Sequence, residues 1–492
     1  MIKNDVDAPL APRRPATSDA SSGALARTGE PRSSHGFYRT VWRWHFYAGL
    51  IVAPVLLLAS LTGAGLVFER ELQQWFWPAR FVARSDGATK HPLAAQVTVA
   101  REQVEAGATL ARISIGEWPR ATTRLTFDAP GGRRVAVAVD PYANTVQATF
   151  DPEREFFHVL TDLHRTLLAG DVGRYVIELA TAWGLVLVLT GLYLWWPRGT
   201  RANRNGPAAG APRDNDRGDR NGGGDGRRGW RGGGGGTFVP RVRGPLYTLL
   251  RDWHAVPVAY ASVVLIAILA SAFVFSKTNG GLLQWHMRRT GAMPSVFIDP
   301  PKATPIDGAS PTAGLDGIDR ALATYQRPGW GLEASAPTDP TDTYNLFIVR
   351  HAHGTVDFDG VAVDPYTGAH LDHFSHADAT FSFDLMRYGY ALHTGSILGT
   401  PSKVLALMAC VVLAGATISG AAMWWARRPA GRAGLPRRPG RADVPVGAAL
   451  LILVMGILLP TLGASILLLL AIAWVRSRYG ANRITEGTGF AG

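Results

Sequence analysis

The sequence predicts an all-α transmembrane bundle, with four core helices plus a C-terminal hydrophobic segment, that carries two small α+β domains on one side of the membrane. Three observations predict it: uncharged runs of membrane-spanning length, arginines gathered in alternate connecting segments, and an internal tandem duplication.

The runs come first. Of the 492 residues, 47% are hydrophobic and only 18% charged, and the apolar residues are clumped. Uncharged stretches cover His45–Phe68, Leu179–Pro197, Ala255–Ser276, Val404–Ala426 and Val444–Val475. A hydrocarbon core of about 30 Å takes roughly 20 apolar residues per helix, so each of the first four fits one span. The fifth is longer and has Pro460 near its middle. One long kinked span is favoured there over two half-helices turning at Pro460–Gly463, although the basic residues beyond it (Arg476, Arg478, Arg483) speak for the turn.

Arginine and lysine set the orientation. Residues 1–44 carry seven of them, residues 198–243 carry eleven arginines, and 427–441 six more. All three face the cytoplasm if the N-terminus is inside. The chain then divides into a disordered cytoplasmic tail (1–37), a first span (38–68), an outside domain (69–173), a second span (174–197) and a Gly/Arg-rich cytoplasmic linker (198–244). A third span (245–276), a second outside domain (277–400), a fourth span (401–426) and a basic cytoplasmic loop (427–443) follow. A fifth span or re-entrant hairpin (444–475) and a tail (476–492) complete it. This is a multi-pass protein of a bacterial inner membrane, surrounded by lipid. Its net charge of +12 is topological rather than the footprint of a nucleic-acid partner.

The first 35 residues lack the apolar core of a cleavable signal. The single cysteine, Cys410, lies inside the fourth run, which excludes a disulfide, a thiolate zinc site, an iron–sulfur cluster and covalent c-type haem attachment.

The duplication is read from matched landmarks. Trp44-His45 opens the first span and Trp253-His254 the third, and Leu72-Gln73-Gln74-Trp75 matches Leu282-Leu283-Gln284-Trp285. Each outside segment holds Val-Asp-Pro-Tyr (Val139–Tyr142, Val363–Tyr366) after alternating apolar residues of strand period. Gly131-Gly132 suits a hairpin turn, and Leu93–Ala106 and Gly314–Tyr325 read as single helices, so each segment is one helix on a short antiparallel sheet. Further on, Leu163-His164 pairs with Leu392-His393, Thr190-Gly191 with Ser419-Gly420, and both copies end in Trp-Trp-x-Arg.

The duplication also filters the thirteen histidines. His45 matches His254, and His164 matches His393, whereas His35 falls opposite Gly244, His158 opposite Arg387 and His286 opposite Phe76. His45 and His254 start spans at the cytoplasmic side; His164 and His393 precede spans at the outer side. Haem iron takes two axial ligands on opposite sides of the porphyrin, and imidazole is a common one. Pairing by depth, His45 with His254 and His164 with His393, therefore predicts two b-type haems, one toward each leaflet. Gly63, Gly65, Gly191 and Gly420 would admit a flat macrocycle or a neighbouring helix. His351, His353, His370, His373 and His376 read as solvent-exposed loop histidines of the second outside domain.

The segment Tyr38–Trp75, the Leu-His…Trp-Trp-x-Arg units and the Val-Asp-Pro-Tyr-bearing outside domains resemble the PepSY-associated transmembrane (PepSY_TM) family, which includes iron-regulated membrane proteins and ferric-siderophore reductases. The resemblance implies PepSY-like outside domains, and two haems held by His45, His164, His254 and His393. It also implies reduction of ferric iron, carried as a ferric-siderophore or another metal complex in the periplasm, by electrons from an unidentified donor on the cytoplasmic side or the quinol pool. No dinucleotide or flavin motif supplies that donor within the chain. The long Gly/Arg linker and the extra apolar C-terminal segment depart from the family pattern. The alternatives are a membrane-anchored binding or regulatory module without redox activity, such as a protease inhibitor, and a metal permease.

Overall fold

The computed structural model describes residues 33–85, 89–118, 120–197, 238–310, 312–350, 357–429, 434 and 444–485. Nearly all of the N-terminal tail, most of the Gly/Arg linker and the basic loop, the end of the C-terminal tail, and His351 and His353 lie outside the described residues.

The first copy opens with α1 (Ser33–Leu66), followed by the short helices α2 (Glu69–Phe76) and α3 (Pro78–Phe81) and by α4 (Leu93–Arg101). Strands β1 (Thr109–Ile115), β2 (Thr123–Asp128), β3 (Arg134–Asp140) and β4 (Thr145–Phe150) come next, then α5 (Phe156–Thr166) and α6 (Gly170–Trp195). The second copy repeats this order with α7 (Leu246–Ser271), α8 (Asn279–Thr290), α9 (Ser295–Ile298), α10 (Ala313–Tyr325), β5 (Gly331–Ser335), β6 (Tyr344–Arg350), β7 (Asp357–Val363), β8 (His370–Ser375), α11 (Phe381–Thr394) and α12 (Thr400–Arg427). Two apolar helices close the chain, α13 (Val446–Leu458) and α14 (Pro460–Thr485).

Among the described residues, five helices are long and apolar enough to cross a membrane: Gly36–Leu66, Gly170–Trp195, Leu246–Phe275, Thr400–Arg427 and Pro460–Arg478. The first four form a ring in which α1 touches α6 and α12, and α7 touches the same two. Small residues allow the approach: Gly184 on α6 leaves room for Leu56 of α1 and Leu269 of α7. Outward-facing Ile51, Val263, Val411 and Leu467 remain exposed, as lipid-facing positions must be.

The C-terminal run is not one kinked span. The helix stops at Leu458 and restarts with Pro460 at its first position, where a missing N–H costs nothing. Met455 before the break and Ile466 after it pack on the same cluster, around Ala182, Leu185, Phe273 and Leu462. The chain turns back on itself between them as a hairpin, because Gly456 and Gly463 are in contact where a continuous helix would hold them about 10 Å apart. Gly456 and Gly463 sit backbone to backbone at its tip, where a Cβ on Gly463 would come within 2.3 Å of the Gly456 carbonyl oxygen. Asn279 donates to the Leu458 carbonyl (2.7 Å) and Trp183 to the Ser465 hydroxyl (3.2 Å), which pins the tip at the end of the bundle that carries the sheet.

The outside segments also differ from two separate domains. Each copy does supply one helix and a four-stranded meander, but the meanders join into one eight-stranded antiparallel sheet in the order β4-β3-β2-β1-β5-β6-β7-β8. Ile113 faces Ala334 at the join, flanked by Arg112–Ser335 and Ser114–Glu333. The contact lies about a local two-fold axis, since β1 and β5 are equivalent strands and run antiparallel. The physical reason is edge protection. A four-stranded meander would leave β1 or β5 with a row of unsatisfied backbone groups, and pairing them removes both edges. One core then serves both copies: Leu93, Val97 and Ala100 of α4 and Leu315, Ile318 and Ala321 of α10 cover a face built from Ile113, Leu125, Val137, Leu332, Leu346 and Val361. Asp319 of α10 accepts the backbone N–H of Leu93 at the start of α4 (2.9 Å), a hydrogen bond between copies.

Val-Asp-Pro-Tyr proves to be a turn device in both copies. Asp140 accepts the N–H groups of Tyr142 and Ala143, and Asp364 those of Tyr366 and Thr367. The residue that closes each turn, Asn144 or Gly368, has a positive φ (53° and 67°), a conformation these two residue types tolerate.

Candidate functional site

The four repeat-matched histidines meet in two pairs. The rings of His45 on α1 and His254 on α7 lie 6.3 Å apart, centroid to centroid, with planes at 86°. Those of His164 on α5 and His393 on α11 lie 6.1 Å apart at 51°. The partner residue Thr62 of the second pair stands about 26 Å beyond His45 along α1, at roughly 1.5 Å rise per residue. The pairs thus sit at opposite ends of the bundle, which is why His45 and His164 cannot meet.

Each site is assembled by the packing of long helices. In the pair remote from the sheet, His45 reaches across to Thr190 on α6, and His254 to the Ala416 carbonyl and Ser419 on α12. In the pair beneath the sheet, α5 and α11 end in left-handed turns at Leu167 and Gly395, so that each short helix doubles back beside the span that follows. That brings His164 to Thr62 on α1 and His393 to the Ile268 carbonyl on α7.

Three of the four glycines lie against the imidazoles. A Cβ on Gly63 would lie 3.2 Å from His164 Cε1, on Gly191 3.4 Å from His45 Cε1, and on Gly420 3.3 Å from His254 Cε1. They make room for the imidazoles themselves. Gly65 is different and accommodates Leu160.

The hydrogen bonds fix the protonation of each ring. His254 Nδ1 lies 2.9 Å from the Ala416 carbonyl and His393 Nδ1 3.0 Å from that of Ile268. A carbonyl only accepts, so both Nδ1 atoms carry the proton. His45 and His164 face hydroxyls, at 2.9 Å each. Those hydroxyls spend their own protons on backbone carbonyls one turn earlier: Thr190 on Val186 (2.7 Å) and Thr62 on Leu58 (2.8 Å). They accept from the histidines. All four rings therefore hold their proton on Nδ1, and Nε2 keeps its lone pair with no hydrogen-bond partner among the described residues. Metal-bound histidines are oriented in this way by a partner on the second nitrogen.

The sequence by itself does not single out these partners. Thr190 and Ser419 stand in it as landmarks of the duplication, and Thr62 and its repeat equivalent Ser271 are small hydroxyl residues on apolar spans. The signal was present, since a hydroxyl residue stands at the same repeat position in both copies, directly before Gly63 and Ala272.

Other candidates resolve as structural. Glu178, a buried carboxylate on a span, accepts the N–H groups of Thr278 (2.9 Å) and Asn279 (3.3 Å), and so ties α6 to the start of α8. Asp252, equally buried near the His45–His254 end, pairs with Arg241 (3.0 Å) and Arg251 (2.8 Å). In the outside domain His373 stacks on Tyr325 (4.2 Å), His370 lies 3.1 Å from the Gly317 carbonyl, and His376 contacts Asp359 (3.4 Å). No group of three or more His, Cys, Asp or Glu side chains gathers into a metal site among the described residues.

The family model described as the PepSY-associated TM region matches residues 42–427. No curated protein matches the chain. The match spans the four-helix ring, both histidine pairs and the whole composite sheet, and leaves out the C-terminal hairpin.

Proposed function

The chain belongs to the PepSY-associated TM-region family, and from that premise and its histidine geometry we propose that it is an inner-membrane electron-transfer protein with two b-type haems. His45 and His254 would hold one, and His164 and His393 the other. The observation that carries this reading is the spacing of the rings. Two imidazoles on opposite sides of one metal ion, each with a metal–nitrogen bond of about 2 Å, have centroids about 6 Å apart. The separations here are 6.3 Å and 6.1 Å.

The donor set fits. Four neutral imidazoles present unshared Nε2 lone pairs in pairs, and each is fixed by a partner at Nδ1. When bound, haem supplies reversible one-electron chemistry. The chain's own residues hold the imidazoles in one tautomer and keep the His45–His254 pair between four apolar spans. They also place the His164–His393 pair where the bundle meets the sheet. With the N-terminus in the cytoplasm, as the arginine distribution favours, the sheet lies in the periplasm. Ferric iron in a siderophore, or another oxidised metal complex, is the acceptor this arrangement suits, with electrons drawn from the cytoplasmic side or the quinol pool. A binding module without redox activity gives no reason for four imidazoles in one tautomer. A metal permease is disfavoured because both buried carboxylates near the spans are already engaged.

The test is direct. Protein purified from haem-replete cells should show a reduced-minus-oxidised spectrum of low-spin b-type haem and about two haems per chain. Haem-free protein from such cells would sink the proposal.

A further inference from the structure

The hydroxyl partners of the histidines follow a rule that extends across the repeat. Four Ser or Thr residues occupy two repeat-matched positions: Thr62 with Ser271, and Thr190 with Ser419. Each hydroxyl donates to the carbonyl three or four residues earlier. Thr62 reaches Leu58 (2.8 Å) and Ala59 (3.1 Å), and Thr190 reaches Val186 (2.7 Å) and Leu187 (3.2 Å). Ser271 reaches Ile268 (2.9 Å), and Ser419 reaches Gly415 (2.7 Å) and Ala416 (3.2 Å). The copies use this unit differently. In the first, the histidine bonds to the hydroxyl, Thr62 for His164 and Thr190 for His45, with the Ala59 carbonyl as a further partner of His164. In the second, it bonds to the carbonyl of the same unit, Ile268 for His393 and Ala416 for His254, and Ser419 stands further off at 3.3 Å.

We propose that Thr62 and Thr190 are the positioning residues of the two sites, one each, and that Ser271 and Ser419 are not. Every pair then joins one histidine that a side-chain hydroxyl orients to one anchored on main chain that no side-chain substitution removes. The physical asymmetry is plain. Replacing Thr62 or Thr190 by valine keeps the shape and deletes the hydroxyl that accepts from a buried Nδ1–H; His164 keeps the Ala59 carbonyl as a second acceptor, so the Thr190 change is the more severe. Replacing Ser271 or Ser419 by alanine leaves the carbonyl in place and relieves it of a competing donor. Loss of such a second-nitrogen partner typically weakens metal binding by about 10–100-fold.

This inference rests on the haem reading, and the experiment separates the two. Thr62→Val, Thr190→Val, Ser271→Ala and Ser419→Ala are purified in detergent. Each is scored for haem per chain, for the low-temperature reduced-minus-oxidised spectrum and for retention of haem against apomyoglobin as a scavenger. Thr62→Val should lose the His164–His393 haem about 10–100-fold more readily than wild type and leave the other spectral component unchanged, and Thr190→Val should do the converse. The two alanine variants should match wild type, and Thr62→Ser and Thr190→Ser, which keep the hydroxyl, should restore wild-type retention. Serine variants that behave like the valine ones would point to a packing role and overturn the assignment. So would alanine variants as weak as the valine ones, or valine variants with wild-type retention. If the wild-type protein carries no haem, it is the underlying reading that has failed.

Discussion

The two histidine pairs are built from the same repeat, yet they answer to different parts of the molecule. His45 and His254 lie on the spans themselves, held by α6 and α12, and their rings stand nearly perpendicular at 86°. His164 and His393 lie on short helices that descend from the sheet, with rings at 51°, and Phe275 packs edge-on against His393 at 5.0 Å. Only this second pair is mechanically continuous with the outside domain. α11 carries His393 at one end and Phe383 at the other, and Phe383 is buried against Phe297, Phe358 and Phe374 beneath the sheet. The difference teaches that one pair is set by the packing of the long spans, whereas the other is carried on helices that also pack against the domain above it.

The strongest way to break this comparison is to delete the proposed ligands one at a time. On the proposed reading, His164→Ala or His393→Ala removes one of the two haems and leaves the spectrum of the other intact, and His45→Ala or His254→Ala removes the complementary component. Pyridine haemochromogen counts and difference spectra check both. Loss of both haems from any single variant would mean that the sites are not independent.

Next comes the aromatic cluster. Phe383→Ala, at a buried position, should destabilise the outside domain by about 3–5 kcal/mol. The same change should broaden or shift only the spectral component that depends on His164 and His393. Thermal unfolding of the sheet followed alongside the haem spectrum reads both effects. Equal disturbance of the two components would show that the sheet couples to the whole bundle.

A smaller effect is expected from the glycines that face the rings. Gly63→Ala and Gly420→Ala place a methyl at 3.2 Å and 3.3 Å from the respective imidazoles, so each ring must give by a few tenths of an ångström. Each variant should shift one spectral component, Gly63→Ala the component lost in His164→Ala, and Gly420→Ala the one lost in His254→Ala. The stability cost should be about 1–3 kcal/mol.

The smallest effect concerns acid. Burial works to raise the Asp140 carboxyl, but the N–H groups of Ser85, Tyr142 and Ala143 outweigh it and hold it below its ordinary value of 3.8. A depressed carboxylate contributes stability above its unfolded value, and that contribution is lost as pH falls through the folded one. The wild-type sheet should therefore weaken below about pH 4. Asp140→Asn should be less stable at neutral pH and show a flatter acid limb when unfolding is followed from pH 7 to pH 3. An unchanged acid limb would remove Asp140 from the account.

Much of the candidate site was legible in the sequence, because duplication leaves matched positions and a membrane leaves uncharged runs. His45, His164, His254 and His393 stand out from thirteen histidines on those two grounds alone. Their partners were harder to read. Thr62 and Ser271 are ordinary small hydroxyl residues on apolar spans, and nothing local marks which of many such residues faces a neighbouring helix. The break at Leu459 was ambiguous because Pro460 is compatible with a kink or with the start of a new helix. The approach of Gly463 to the Gly456 backbone, which a continuous helix would hold about 10 Å away, decides between them.

By itself the sequence determined the number of core spans, the doubling of the unit, the alternation of each meander and the identity of the four histidines. These are set by periodicity, length and composition, which are properties of the chain read locally. Only the tertiary structure decided that the two meanders share one sheet, because strand pattern specifies which face is buried but not which edge meets which. It alone also decided that each of the four paired histidines keeps its proton on Nδ1 and presents Nε2. That depends on carbonyls and hydroxyls 100 or more residues away, brought to hydrogen-bond distance by helix packing.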